Sequence, residues 1–87
     1  MIVREHRKFR KQYKKLSSKI QKKVQEKIGL FIENPLDIQL KNHALSGDMQ
    51  GKRAISVTGD IRIIFEEFED YTLVIMLDVG SHAQVYT

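Results

Sequence analysis

The stretch IRIIFEEFEDYTLVIMLDV, residues 61–79, decides the fold class. Its first half places Ile61, Ile63 and Phe65 on one face, and this period of two is typical of a half-buried β-strand. Its second half, YTLVIMLDV, is apolar on both faces, which indicates an interior strand buried on both sides. The acidic pair at 69–70 predicts a turn between the two. We therefore expect two adjacent antiparallel strands within a sheet.

The segment before this hairpin predicts one more strand and a long connector. RAISVT, residues 53–58, places Ile55 and Val57 on one face, and residues 58–61 predict a tight turn in which Gly59 is able to adopt a positive φ. Residues 36–51 have no periodicity and predict a polar connector, a type of loop that is often functional. After Gly80, we expect AQVY, residues 83–86, to form a short last strand.

The N-terminal part predicts a short strand followed by a helical hairpin. Ile2 to Arg4 indicates the strand, and the apolar residues Phe9, Tyr13 and Leu16 then share one face of a helix. A second apolar series at four-residue spacing follows, from residue 20 to residue 32.

Local signals place the ends of the second helix. Ser18-Lys-Ile-Gln21 has the form of a capping box that opens it, and Asn34-Pro35 ends it. The element order is then β-α-α-β-β-β with a possible short last strand. This order predicts an α+β fold in which the helical hairpin packs on one face of an antiparallel sheet.

Composition narrows the class of protein. The 87 residues predict one domain, 1–87, and contain no cysteine, so we expect no disulfide, no thiolate zinc site and no cysteine nucleophile. The N-terminus is charged too early for a signal peptide, and the longest apolar run is too short to cross a bilayer. We therefore expect a cytoplasmic protein without membrane association.

Charge is distributed unevenly along the chain. Residues 1–28 contain eleven of the 15 Lys and Arg residues but only two of the 11 Asp and Glu residues. This excess predicts that a polyanion or an acidic protein docks on the N-terminal helices. The alternative is that the lysines simply solvate two helix faces.

The chain has no P-loop, no GxGxxG, no HExxH and no G-x-S-x-G motif. A zinc site would require His43, His82 and Asp60 to converge, and we expect neither a metal nor another cofactor. RNA cleavage by attack of a ribose 2′-hydroxyl needs only a base, an acid and cations at the phosphate. Residues suited to these tasks occur in the connector, the meander and the C-terminal segment: His43, Lys52, Arg53, Asp60, Arg62, His82 and Tyr86.

Four segments, residues 41–47, 51–53, 59–65 and 80–86, together resemble a known family. The whole chain resembles a RelE/ParE-superfamily toxin of bacterial type II toxin–antitoxin systems, closest to the YafQ-like branch. The resemblance implies a RelE-like domain that acts as a ribosome-dependent mRNA endoribonuclease and inhibits translation. It also implies a cognate antitoxin that neutralises the toxin in a hetero-oligomer.

The resemblance also implies roles for individual residues. His82 is expected to act as general acid or base at the scissile phosphate, with His43 and Asp60 completing the proton relay. Tyr86 would orient the base or the phosphate. The RNA-binding residues would be Lys52, Arg53 and Arg62, of which the two arginines would stabilise the phosphorane.

Two positions depart from the YafQ-like pattern. Ser56 stands where such toxins often have another histidine, and Ile61 stands where they have an aromatic residue. These departures favour one alternative, an inactive RNA-binding relative. A second alternative is a non-enzymatic gyrase-inhibiting toxin of the ParE kind, against which His43 and His82 argue.

Overall fold

The computed structural model describes residues 1–86, in which a five-stranded sheet carries helices on both faces. The sheet order is β1-β5-β4-β3-β2. The strands are β1 (Ile2–Glu5), β2 (His43–Ala44), β3 (Arg53–Ser56), β4 (Ile61–Phe68) and β5 (Leu73–Ser81). The helices are α1 (Arg7–Lys14), α2 (Ser18–Glu33) and α3 (His82–Val85), with short 3-10 turns at Ile38–Leu40 and Gly47–Met49.

The sheet is mixed rather than antiparallel throughout. Strands β2 to β5 form the expected antiparallel ladder, but β1 pairs in parallel with β5 and aligns Val3 with Val74. An apolar period of two shows that a segment is a strand but carries no information on its direction. The prediction of an α+β fold with a helical hairpin on one face is confirmed.

The main hydrophobic core lies between this sheet and the α1–α2 hairpin. Phe31 of α2 is fully buried, and its ring meets Phe65 at 5.0 Å and Tyr71 at 6.0 Å, both edge-on. Phe9 of α1 and Val24 of α2 belong to the same cluster. Aromatic burial of this kind supplies much of the driving force in a chain of this size.

The second helix begins one residue earlier than its sequence signal predicts. Ser17 is the N-cap, and its hydroxyl accepts a hydrogen bond from the Ile20 amide at 3.3 Å. The predicted capping box at Ser18 is therefore wrong. Gln21 instead donates from its side chain to the Tyr13 carbonyl at 3.0 Å, which joins α2 to the end of α1. Asn34 ends the helix as predicted.

In two turns the backbone conformation differs from the one that the residue types suggest. Gly59 does not adopt the positive φ that the sequence suggests for the first hairpin turn. In the second turn Glu69, Asp70 and Tyr71 all have positive φ, of 56°, 53° and 67°. The Glu67 carboxylate stabilises this left-handed turn by accepting a hydrogen bond from the Tyr71 amide at 2.9 Å.

The predicted last strand is wrong. Residues 82–85 form a helical turn, α3, because Ser81 and Gln84 make a complete capping box around its first turn. Ser81 Oγ accepts from the Gln84 amide at 3.2 Å, and Gln84 Oε1 accepts from the Ser81 amide at 2.9 Å. The Ser-x-x-Gln pattern at 81–84 was the sequence signal for this helix.

No helix within residues 1–86 combines the length and apolar character needed to cross a membrane.

We expect Gly29→Ala to stabilise the protein. Gly29 lies exposed in α2, and an added Cβ would meet no atom within 4 Å. Alanine loses less backbone entropy than glycine in a helix, so the free energy of unfolding should rise by about 0.5–1 kcal/mol. Urea denaturation followed by circular dichroism measures this change, and an unaltered or lower midpoint would contradict it.

Candidate active site

The candidate site lies on the sheet face opposite α1 and α2, which we call the α3 face. There Val85 of α3 packs on Ala54 of β3 and Ile64 of β4, in a small cluster separate from the main core. Leu45, Leu77 and other half-buried side chains border this cluster. The helical turn thus covers part of the face and leaves the remainder open.

His82 and Tyr86 form a pair at the end of β5. Their rings meet edge-on, with centroids 4.5 Å apart, and the imidazole is exposed. The His82 amide donates to the Asp60 carbonyl at 2.9 Å and approaches the Asp60 Oδ1 at 3.4 Å. Asp60 therefore contacts the main chain of His82, and no hydrogen bond within residues 1–86 joins its carboxylate to the imidazole.

Arg62 lies beside this pair. Its Cα is paired with that of Gly80 in β5 and that of Ser56 in β3. Ser56 lies two residues after Ala54, which packs under α3, so the Arg62 side chain projects from the α3 face. Its Nη1 donates to the Thr58 carbonyl at 2.9 Å and the Ile61 carbonyl at 3.3 Å, which holds the guanidinium at the hairpin turn. Its Nε and Nη2 groups make no hydrogen bond within residues 1–86 and so remain able to bind a phosphate.

His43 reaches the same face from the edge strand β2. It is paired with Ala54, whose side chain lies under α3, and directly paired residues point to the same side of a sheet. Its Nδ1 lies 2.8 Å from the Lys41 carbonyl, so Nδ1 carries the proton in the neutral ring and Nε2 is exposed. Lys41 adopts a left-handed conformation with φ of 52°, which turns the chain into β2.

Arg53 is not part of this group. Its register partner is Phe65, which points into the main core, and its Nε donates to Asn42 Oδ1 at 2.9 Å. Asn42 in turn donates to the Tyr71 hydroxyl at 3.0 Å. The structure therefore places Arg53 on the helix face. Because adjacent strand residues point to opposite faces, Arg53 lies on the other side of the sheet from Ala54, and this placement does not support a role for it at a phosphorane beside His82.

Lys52 lines a groove beside α3 of about 420 Å³. The groove exists partly because the β4–β5 register shifts between Ile64 and Phe65, leaving Leu77 as an extra residue in β5. Leu77 and Asp78 both face the groove as a result.

Asp78 is buried, accepts a hydrogen bond from the Val79 amide at 2.9 Å and pairs with Lys8 Nζ at 3.2 Å.

Sequence reasoning missed this second polar cluster. His6 is the N-cap of α1, accepts a hydrogen bond from the Lys8 amide at 3.0 Å and lines the groove. Asp78 offered one usable signal, since it is the only charged residue within the apolar run of residues 71–79.

Within residues 1–86 no three His, Cys, Asp or Glu side chains are arranged to hold a metal ion, so the zinc alternative has no support in this geometry.

One family model matches the chain over its whole length. The model of the family described as "Bacterial toxin of type II toxin-antitoxin system, YafQ" matches residues 1–87. The chain belongs to this family. It is therefore a toxin of the type II toxin–antitoxin class, as its sequence predicts. A comparison with curated proteins found no match.

Solved structures share the fold of this YafQ-family chain. YafQ from Escherichia coli strain BL21(DE3) matches with a TM-score of 0.82 and 22% identity, over 98% of this chain and 97% of that one. The E. coli DinJ–YafQ toxin–antitoxin complex gives 0.79 and 22%, over 98% and 96%. The RelBE2 toxin–antitoxin complex from Mycobacterium tuberculosis gives 0.77 and 23%, over 93% and 96%. These likenesses show that the chain has the RelE-like toxin fold.

We expect Gly80→Ala to loosen α3. A Cβ at this position would lie 2.8 Å from Gln84 Oε1 and displace it from the Ser81 amide. Losing half of the capping box should lower the free energy of unfolding by about 1 kcal/mol. In NMR spectra the His82 and Tyr86 ring resonances should move together, since their contact depends on α3. Unchanged ring resonances would show that the capping box does not position these two side chains.

Proposed function

We propose that this toxin is a ribosome-dependent mRNA endoribonuclease that inhibits translation. The observation that carries the proposal is the exposed His82 imidazole, held against Tyr86 at the end of β5 with the free donors of Arg62 on the same face. Metal-independent RNA cleavage requires a base, an acid and positive charge at the phosphate, and an aromatic ring helps to hold an unstacked base.

The reaction begins when a ribose 2′-hydroxyl attacks the adjacent phosphorus and gives up its proton to a base. A pentavalent phosphorane forms, and the 5′-oxygen of the next nucleotide leaves as it receives a proton from an acid. The products are a 2′,3′-cyclic phosphate and a 5′-hydroxyl, so proton and bond changes balance without a metal or a cofactor. His82 acts at the scissile phosphate, and His43 supplies the second proton-transfer group from the same face.

Asp60 and Arg62 support the reaction in different ways. Asp60 positions His82 through the main chain of His82, since both contacts between the two residues are to the His82 amide. Arg62 directs its remaining donors at the phosphorane, whose negative charge a guanidinium stabilises by paired hydrogen bonds. Tyr86 limits the rotation of the imidazole and offers its ring to an unstacked base.

The basic helices supply the docking surface for the ribosome. The lysines of α1 and α2 are exposed except for the half-buried Lys27, and both helices pack on the sheet face opposite α3. Phosphate contacts dominate binding of this kind to RNA. A toxin that binds ribosomal RNA through α1 and α2 keeps its α3 face free for mRNA.

A cognate antitoxin neutralises the toxin by forming a hetero-oligomer with it. Two of the similar structures are toxin–antitoxin complexes. The chain also exposes large apolar side chains around the end of α2, where Ile32, Leu36 and Ile38 are 48%, 66% and 89% exposed. Apolar side chains this exposed are typical of a surface that a protein partner covers.

The test is inducible expression in bacteria, with mapping of mRNA 5′ ends on translating ribosomes. The proposal expects growth arrest, new in-frame cleavage sites that carry 5′-hydroxyl ends, and rescue when the antitoxin is expressed alongside. Growth arrest with DNA damage signalling and without mRNA cleavage would overturn it in favour of gyrase inhibition. Absence of both toxicity and cleavage would identify an inactive RNA-binding relative, as the Ser56 and Ile61 departures suggest.

A further inference from the structure

The groove beside α3 contains polar groups that the cleavage reaction does not use. It lies between the N-terminus of α1 on one side and Met49 and Lys52 on the other, with β4 and β5 beneath it. Val85 of α3 forms part of its wall, and Val85 stands directly before Tyr86 and three residues after His82. A ligand in the groove therefore contacts α3, the helical turn that also carries the proposed catalytic residue His82.

We propose that this groove binds one unstacked nucleotide of the RNA and that Glu66 selects guanine there, an inference that rests on the proposed endoribonuclease function. A volume of about 420 Å³ is sufficient for a single nucleotide. The walls formed by Ile64, Leu77 and Val85 are apolar and suit the flat face of a base. Sequence-specific recognition of RNA generally targets unstacked bases through such contacts and through hydrogen bonds to base edges.

Glu66 is the carboxylate available to read the base. Both Asp78 oxygens are engaged, Oδ1 by the Val79 amide and Oδ2 by Lys8. Glu66 lines the same groove, is half-buried and has no hydrogen bond or ion pair within residues 1–86. A carboxylate accepts two hydrogen bonds side by side.

Guanine is the base that matches this acceptor. Its Watson–Crick edge presents N1–H and N2–H₂ side by side, so both oxygens of one carboxylate are satisfied. Adenine and cytosine each present a single amino group next to a ring acceptor, which a carboxylate would repel. Lys52 and Lys8, whose side chain is 62% exposed, supply positive charge for the phosphate of the bound nucleotide.

The test is direct binding of RNA pentamers to the His82→Ala protein, which leaves the RNA intact. UUGUU is compared by fluorescence anisotropy with UUIUU, in which inosine lacks only the N2 amine. We expect about tenfold tighter binding of the guanine pentamer, since one good base contact is worth about that factor. Glu66→Gln should reduce this ratio to about twofold or less, because an amide offers one acceptor in place of two.

Glu67→Gln is the matched control. Glu67 neighbours Glu66 but accepts the Tyr71 amide, and its register partner Val74 lies in the main core. Glutamine keeps the accepting oxygen, so the guanine-to-inosine ratio of this variant should equal that of the His82→Ala parent.

Binding and cleavage separate the two proposals. Equal affinity for both pentamers, or a ratio that Glu66→Gln leaves unchanged, overturns the guanine site even if the wild type cleaves mRNA. A guanine preference that depends on Glu66 supports the site even if the wild type does not cleave. Base-independent RNA binding together with loss of antitoxin binding in Glu66→Gln would identify the groove as a protein-docking surface and overturn the proposal.

Discussion

His82→Ala should lower the rate of mRNA cleavage on ribosomes by at least about 100-fold. A positioned acid or base contributes typically about 10²–10⁴-fold to a rate, and alanine can transfer no proton. The fold should persist, because His82 is exposed and its hydrogen bond to Asp60 is made by its main-chain amide, which alanine retains. Primer extension on purified ribosomes with a defined mRNA measures the rate.

The neighbouring position provides the control. Ala83 lies exposed on α3, and Ala83→Ser changes the same helical turn without removing a reactive group. It should cleave at the rate of the wild type and have the same circular dichroism spectrum. If His82→Ala keeps more than about a tenth of the wild-type rate, the imidazole is not the acid or base that the mechanism requires.

Phe31→Ala should have the largest effect on stability. Phe31 is fully buried and makes edge-on contacts with both Phe65 and Tyr71, so truncation leaves a cavity where α2 meets the sheet. Such substitutions cost about 3–5 kcal/mol. A chain of this length has a total stability of roughly 4–13 kcal/mol, at about 0.05–0.15 kcal/mol per residue. We therefore expect the free energy of unfolding, measured by urea denaturation, to fall by about a quarter of its wild-type value or more.

Phe68→Ala tests whether burial, rather than the loss of a phenyl ring as such, causes this effect. Phe68 ends β4 and is 41% exposed, so its removal leaves no internal cavity. Its free energy of unfolding should change by less than about 1 kcal/mol. A loss comparable to that of Phe31→Ala would show that the open end of the sheet contributes as much as the core.

The strands and helices were predictable where one side of the element faces the core. The alternation at residues 61–68 and the four-residue spacing at 20–32 reflect burial directly, and both elements form where expected. The α3 turn was mispredicted because AQVY has apolar residues two apart, a spacing that suits a strand. The capping box formed by Ser81 and Gln84 outweighs that spacing, since it satisfies main-chain groups that a strand at this position would have to pair elsewhere.

The sequence by itself determined the α+β class, the helical hairpin, the family and the set of candidate residues, because apolar periodicity and short motifs are local properties. Tertiary structure alone decided which candidates lie together. It turned Arg53 to the helix face and Arg62 to the α3 face, although both belong to neighbouring strands of one meander. It also brought Glu66, Asp78 and Lys8 around one groove. Strand register and a single extra residue in β5 set these positions. Both depend on how separate segments of the chain pair, so no single segment of the sequence determines them.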